Sequence, residues 1–321
     1  MLRFLQNSRY LSKLLVFSFI WCAISSPSIA LTQKEITYFQ PTIIWDKAPK
    51  KPLNGRYELD QYTTPIGIAP FLSQIPSFQD QGKLIASWNP SNNLTQNITF
   101  VVLHGGFGIV PADMARSLWL KKTFNANVLI LDSFWSRGKY ENWKTGTEYG
   151  ANMRMLDVIA AGEWLVKSKN VNHRKLFLIG GSQGGWTVLR SFTNEPWIIK
   201  HVQPLYAGGI SLWPNCKADG SSIRPTLGPY FKDIIVFTGG NDKATPISEC
   251  NTNVLKNTAK WIHYPNATHG WDHANPLRAS KDGECNTANN PYRPYAVCRD
   301  DASTNDTYKN IESYVRRIVG Q

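Results

Sequence analysis

Long apolar runs are scarce in this chain of 321 residues. Beyond the first thirty positions nothing approaches the roughly 20 consecutive apolar residues that a membrane-spanning helix requires. No integral membrane segment is therefore expected once an N-terminal leader is removed. Acidic residues are in deficit, with 23 Asp and Glu against 35 Lys and Arg, for a formal charge of +12. The basic residues are scattered rather than gathered into a block. A dispersed positive surface favours solubility and weak attraction to acidic polymers and membranes, and it gives no indication of nucleic-acid binding. Cysteine is confined to five positions, none in a C-x-x-C pair, which argues against a structural zinc site. Internal repeats and low-complexity tracts are absent. A hydrophobic fraction of 42% is enough for one sizeable core.

The N-terminus has its own character. Arg3, Arg9 and Lys13 precede an apolar run from Leu14 to Ile24, followed by small residues at Ser28 and Ala30. A basic start, a short greasy centre and a small-residue site describe a secretory signal peptide at 1–30, with an uncleaved anchor as the alternative. Its loss would lower the formal charge from +12 to +9, since it carries three basic and no acidic residues. It would also leave four cysteines: Cys216, Cys250, Cys285 and Cys298. An even number in a secreted or periplasmic chain favours two disulfides. Of the three connectivities we favour Cys216–Cys250 and Cys285–Cys298, the second closing a short loop, against four unpaired buried thiols.

Residues 31–54 are rich in Pro and Lys and read as an extended lead-in to one domain over 55–321. Short apolar runs bounded by Gly, Asn, Asp or Pro predict strands at Ile98–His104, Asn127–Asp132, Lys175–Gly180, His201–Tyr206, Asp233–Thr238 and Lys260–Tyr264. Two weaker strands, Gly55–Tyr62 and Lys83–Trp88, suggest an antiparallel edge. Helical periodicity marks Ala112–Phe124, Glu148–Lys169, Trp186–Phe192, Pro246–Asn257 and Asn305–Val319. Alternation of this kind implies an α/β fold with a mostly parallel sheet covered by helices on both faces. The stretch 270–303 breaks the rhythm and reads as a cysteine-bearing loop insertion before the C-terminal helix.

The segment Gly180-Gly181-Ser182-Gln183-Gly184-Gly185 follows a predicted strand and precedes a predicted helix. This is the G-x-S-x-G pattern in the strand–turn–helix context that lifts a serine hydroxyl clear of a sheet. Two later strand ends carry Gly239-Gly240-Asn241-Asp242 and Thr268-His269-Gly270. A serine hydroxyl is a weak nucleophile at neutral pH. It needs an imidazole to accept its proton and a carboxylate to hold that imidazole in the right tautomer. The order Ser182, Asp242, His269 supplies those roles, with His273 as a competing base. Asp242 also suits a turn or a helix N-cap. Upstream, His104-Gly105-Gly106-Phe107-Gly108 ends another strand. Its backbone would offer one oxyanion donor, Phe107 or the neighbouring Gly106, beside the amide of Gln183. His104, His173, His201 and His263 read as structural. Neither a metal nor a cofactor is expected.

Taken together, His104-Gly105-Gly106, Asp132-Ser133-Phe134-Trp135-Ser136-Arg137-Gly138, Arg154-Met155-Leu156-Asp157, the serine turn, Asp242 and His269 resemble the dienelactone hydrolase-like branch of the α/β hydrolases. The likeness covers about residues 83 to 272. It implies cofactor-free hydrolysis of a carboxylic ester or lactone through an acyl-enzyme. Dienelactone hydrolases proper use a cysteine nucleophile where this chain has Ser182, and they lack the leader and the cysteine-bearing loop. The family's substrate is therefore not carried over. Arg137 and Arg154 read as structural, Arg154 being spaced to pair with Asp157 on a helix. Little room exists for a lid between the nucleophile and the acid, which suits small-molecule or polymer-borne esters. Trp186, Trp213 and Trp271 lie near the three residues in sequence, as core or as stacking surfaces. A serine peptidase of the same fold and a non-catalytic binding protein on this scaffold are the rivals. The oligomeric state is left open.

Overall fold

The structure is a computed structural model that describes residues 41–45, 84–94, 97–134, 151–216, 229–272, 283, 285–286 and 295–321. The leader, the strand expected at Gly55–Tyr62, Arg137 and His273 lie outside these residues. One eight-stranded sheet organises the chain. Its strands are β1 (Pro41–Trp45), β2 (Leu84–Asn89), β3 (Thr99–Leu103), β4 (Asn127–Asp132), β5 (Leu176–Gly181), β6 (Gly208–Leu212), β7 (Ile234–Gly239) and β8 (Lys260–Tyr264). Their spatial order is β1-β2-β4-β3-β5-β6-β7-β8. The β1–β2 and β2–β4 pairs are antiparallel and every other pair is parallel. The antiparallel edge expected from Lys83–Trp88 is thus present, with β1 added outside it.

Helices cover both faces: α1 (Pro111–Phe124), α2 (Ala151–Ser168), α3 (Gln183–Ser191), α4 (Pro196–Val202), α5 (Thr252–Thr258) and α6 (Asp301–Val319). Strand residues alternate between two cores, as side chains two apart must. Val101, Leu103, Leu129, Leu178 and Val236 pack against Met155 and Val158 of α2 and Val188 and Leu189 of α3. Phe100, Val102, Val128, Ile179 and Phe237 pack against Leu120 of α1 and Tyr308, Ile311 and Val315 of α6. Local chemistry fixes the helix ends. At the start of α1, Pro111 needs no N–H partner and the Asp113 carboxylate accepts the Val110 N–H at 3.1 Å. Asp300 caps α6 by accepting the Ser303 N–H at 2.9 Å, and Gly320 closes it in the left-handed conformation at φ 76°.

One strand lies elsewhere than its expected position. His201–Tyr206 is not extended; the chain there forms the end of α4 and a turn, and the strand is Gly208–Leu212. Pro196 sits in the first turn of α4, and Trp197, Ile198 and Val202 turn to the core. Glycine at 208 and 209 weakens the strand signal, yet the packing demands it. A methyl group at 208 would lie 2.3 Å from the Tyr314 hydroxyl, and one at 209 would lie 2.6 Å from the Phe192 ring. The helix expected at Pro246–Asn257 is split into a 3-10 turn, Ile247–Glu249, and α5.

Both expected disulfides are formed, Cys216–Cys250 and Cys285–Cys298. The second precedes α6, joining the short paired strands β9 (Cys285–Asn286) and β10 (Val297–Cys298). Among the described residues no helix is long and apolar enough to cross a membrane.

Candidate active site

Strand β5 ends at Gly181 and α3 begins at Gln183, so a single residue makes the turn. That residue, Ser182, has φ 56° and ψ −119°, a conformation a side-chain-bearing residue seldom adopts. The strain is held by the surroundings. The Ser182 N–H donates to the Leu212 carbonyl at 3.0 Å, and its own carbonyl accepts from the N–H groups of Trp186 (2.9 Å) and Asn215 (3.2 Å). The flanking glycines are dictated by close approach. A methyl at 180 would lie 2.6 Å from the Gly184 backbone, and one at 184 would lie 2.2 Å from the Leu103 carbonyl oxygen. Only hydrogen fits between the end of β3 and the start of α3.

The turn after β3 lies alongside. Gly105 pairs with Gly108 across it, and a methyl at 105 would sit 3.6 Å from Ser182 Cβ. Gly106 and Phe107 form the tip of this turn, and Gln183 opens α3 on the other side of the serine. The Gly-rich turn and the start of α3 therefore both lie beside Ser182. His104 braces the turn. Its ring is fully buried, its Nδ1 is 2.7 Å from the Gly105 carbonyl and its Nε2 is 3.2 Å from the Ser133 N–H. The consistent tautomer donates from Nδ1 and accepts at Nε2. Burial, assisted by the Arg154 charge, holds this histidine well below its usual pKa and hence neutral. Arg154 of α2 donates to the His104 carbonyl at 2.7 Å. It thus ties the Gly-rich turn to α2, a role beyond the helix pairing expected of it.

At the ends of β7 and β8 two loops zip together. Gly240 N–H donates to the Tyr264 carbonyl at 2.8 Å and Asn241 N–H to the Ala267 carbonyl at 3.0 Å. The backbones come so close that a methyl at 239 or 240 would fall 2.4 or 2.2 Å from a carbonyl oxygen. This seam delivers Asp242 to His269, whose Nδ1 lies 2.8 Å from Asp242 Oδ2. The other carboxylate oxygen accepts the N–H groups of Ala244 (2.9 Å) and Thr245 (2.8 Å). Asp242 is therefore a turn residue as well as the partner of an imidazole; the two readings are compatible. Burial works to raise its pKa, but His269 and the Thr245 bonds outweigh it and hold the carboxyl below its ordinary value. With Nδ1–H donating to this carboxylate, the lone pair of His269 sits on Nε2, the atom a general base requires. Both side chains are buried.

Two side chains add contacts to the expected residues: Thr245, to which the sequence assigns no role, and Trp213, which it marks only as core or stacking surface. Thr245 Oγ1 is 2.7 Å from Asp242 Oδ2 and 3.1 Å from His269 Nδ1, so it touches both members of the pair. Trp213, buried after β6, stands with its ring against Gly181 and at 4.7 Å, centroid to centroid, from the His269 ring. The partners of Trp213 are distant in sequence. Trp186, Trp213 and Trp271 are all buried core residues.

No protein-family model matches the sequence, and comparison with curated proteins returns no match. Solved structures do match. A proposed dienelactone hydrolase from Klebsiella pneumoniae superposes with a TM-score of 0.54 at 13% identity, over 74% of this chain and 95% of that one. The fold is that of the α/β hydrolases. A dienelactone hydrolase-like promiscuous phosphotriesterase from metagenomic libraries gives 0.53 at 12% identity, over 74% and 93% of the two chains. A butyrate-bound thermophilic esterase from Thermogutta terrifontis gives 0.52 at 12%, over 76% and 93%. The α/β-hydrolase fold expected from the motifs is thus present, with the strained Ser182 following β5 at its carboxyl end.

Proposed function

We infer that the protein is an exported serine hydrolase that cleaves carboxylic esters or lactones. The observation that carries this reading is the paired geometry of two loops: a serine forced into a left-handed turn ahead of a helix, and an imidazole held through Nδ1 by a buried carboxylate. In the proposed cycle His269 Nε2 takes the proton of Ser182 as its Oγ attacks the acyl carbon. The oxyanion is held by the amide of Gln183 and that of Phe107 or Gly106. His269 returns the proton to the departing alcohol, and water then releases the acid by the reverse sequence. Asp242 stabilises the imidazolium that forms in each half-reaction. The chemistry needs no cofactor or metal. The esterase and phosphotriesterase names carried by the structural neighbours support an ester substrate. The two disulfides support an extracytoplasmic location, reached through the leader at 1–30.

The test is a fluorophosphonate probe applied to the folded wild type and to Ser182→Ala. Labelling of the wild type alone supports the reading. Folded wild-type protein that stays unlabelled points instead to a binding protein on a hydrolase scaffold. Turnover of p-nitrophenyl acetate against a peptide anilide then separates an esterase from a peptidase of the same fold.

A further inference from the structure

Trp213 is joined to several parts of the site. Its backbone is in the left-handed region at φ 33°, costly for a bulky residue without a compensating reason. Three contacts hold it there. Its N–H donates to the Phe237 carbonyl at 2.8 Å, and its carbonyl lies 3.2 Å from Thr245 Oγ1, the hydroxyl that also reaches Asp242. Its indole Nε1–H donates to Asp272 Oδ1 at 3.0 Å. The ring is thereby wedged between the serine turn and the imidazole: a methyl at 181 would overlap Cη2 at 2.2 Å, and His269 meets the ring edge-on, with planes at 71°.

The far end of the wedge is ionic and dry. Asp272 Oδ2 accepts from Arg116 Nε at 3.1 Å and Nη2 at 2.7 Å, and Arg116 Nη1 donates to Asp113 at 3.1 Å. Arg116 is fully buried, and Asp272 and Asp113 are nearly so. A buried ion cluster is a poor source of stability, because the desolvation penalty rivals the attraction. What such a cluster does supply is a fixed geometry. Here it links α1, which follows the Gly-rich turn, to the loop that carries His269, with Trp213 at the junction.

We propose that Trp213, locked by the Asp272–Arg116 pair, is the positioning residue that sets the His269 ring relative to Ser182. The proposal rests on the serine-hydrolase reading for its kinetic consequence but not for its structural one. Removing the indole N–H frees the wedge from Asp272, so the imidazole loses its fixed register against the serine turn. Binding of substrate, which does not depend on that register, is little changed.

The experiment compares Trp213→Phe and Asp272→Leu with Tyr314→Phe, a variant on α6 away from the three loops. Each is measured for kcat and KM on p-nitrophenyl acetate, for the rate of fluorophosphonate labelling, for Tm, and for the imidazole resonances of His269 by NMR. The expected result for Trp213→Phe is a fall in kcat and in labelling rate of about 10- to 100-fold, KM within about threefold, and shifted or broadened His269 resonances. Tyr314→Phe lowers Tm but leaves kcat and those resonances in place. Asp272→Leu serves where Trp213→Phe fails to fold. Unchanged His269 resonances in folded Trp213→Phe overturn the proposal, as does a raised KM at constant kcat. A wild type that resists the probe overturns the hydrolase reading instead, and the resonances still decide the positioning role.

Discussion

At the scale of single residues, the site is built from groups whose alternatives are excluded by contact. Ser182→Ala removes the only atom proposed to attack the substrate and should abolish fluorophosphonate labelling while leaving the far-UV spectrum unchanged. Asp242→Asn is expected to lower kcat by roughly 10⁴-fold, because an amide in place of the carboxylate favours the wrong imidazole tautomer and gives no charge to stabilise the imidazolium. Thr245→Val is a finer probe. Its hydroxyl lies 2.7 Å from Asp242 Oδ2, so its loss leaves the carboxylate less well held and shifts the acid–base pair. A fall in kcat of about 10- to 100-fold, with KM within a factor of three, is expected from the loss of one hydrogen bond to a charged group, worth about 1.5–3 kcal/mol. Equal kcat values for Thr245→Val and the wild type would show that Asp242 is oriented without it.

At the scale of elements, the serine turn and the loops carrying Asp242 and His269 were legible in the sequence because each is short-range. A strand, a glycine-flanked serine and a helix occupy consecutive residues, and Asp242 and His269 each follow their own strand end. The strand order was not stated by the sequence, and β6 was misplaced because its glycines answer to partners elsewhere. Gly208 makes way for Tyr314, some hundred positions later. The Tyr314 hydroxyl accepts the Gly209 N–H at 3.0 Å and donates to the Asp233 carbonyl at 2.7 Å, pinning α6 across β6 and β7. The wedge contact of Trp213 and the ion pair of Arg116 were illegible for the same reason, since both end on Asp272, 59 and 156 residues away. Tyr314→Phe strands both a buried donor and a buried acceptor. Its expected cost is about 2–6 kcal/mol, at roughly 1–3 for each unsatisfied group. Urea denaturation would register this as a lower midpoint at unchanged slope.

At the scale of the whole molecule, one prediction concerns acid. Asp113 is pushed up from 3.8 to about 6, chiefly by burial, with Arg116 and the Val110 N–H opposing. A carboxyl with a raised folded pKa binds its proton more tightly in the native state. Its contribution to stability is therefore full below pH 4 and is lost as pH rises through about 6. Asp242 behaves in the opposite sense, stabilising above the ordinary carboxylate range and losing that contribution as pH falls below it. Asp113→Asn should remove the first dependence and keep the second. Between pH 4 and 6.5 the wild type should lose stability relative to this variant, by at most about 3 kcal/mol at 1.36 kcal/mol per unit. Parallel Tm–pH curves for the two proteins over that range would contradict the assignment.

Each disulfide adjoins a segment of the candidate site, and that placement separates their effect on activity from their effect on the fold. Cys216 follows the Trp213–Asn215 segment that bonds Ser182, and its partner Cys250 follows the turn after Asp242. Cys298 exchanges hydrogen bonds with Thr268, next to His269: its N–H donates to Thr268 Oγ1 at 2.8 Å. The sheet itself is held by backbone pairing and by cores on both faces; Cys216 belongs to one core and Cys250 packs against it, whereas Cys285 and Cys298 enter neither. Reduction of Cys285–Cys298 should therefore loosen the loop it staples before it melts the sheet. Each bond contributes about 3–4 kcal/mol by restricting the unfolded chain, the 34-residue span somewhat more than the 13-residue one. In a domain of this size that is a drop in Tm of roughly 5–15 °C per bond. Treated with dithiothreitol well below the new Tm, the protein should lose at least 10-fold in kcat while its far-UV spectrum holds. The variant lacking Cys285 and Cys298 should reproduce most of that loss with the smaller shift in Tm, because its staple bears on the loop of the base. Loss of activity and of secondary structure at one and the same reductant concentration would show that the staples support the sheet rather than the site.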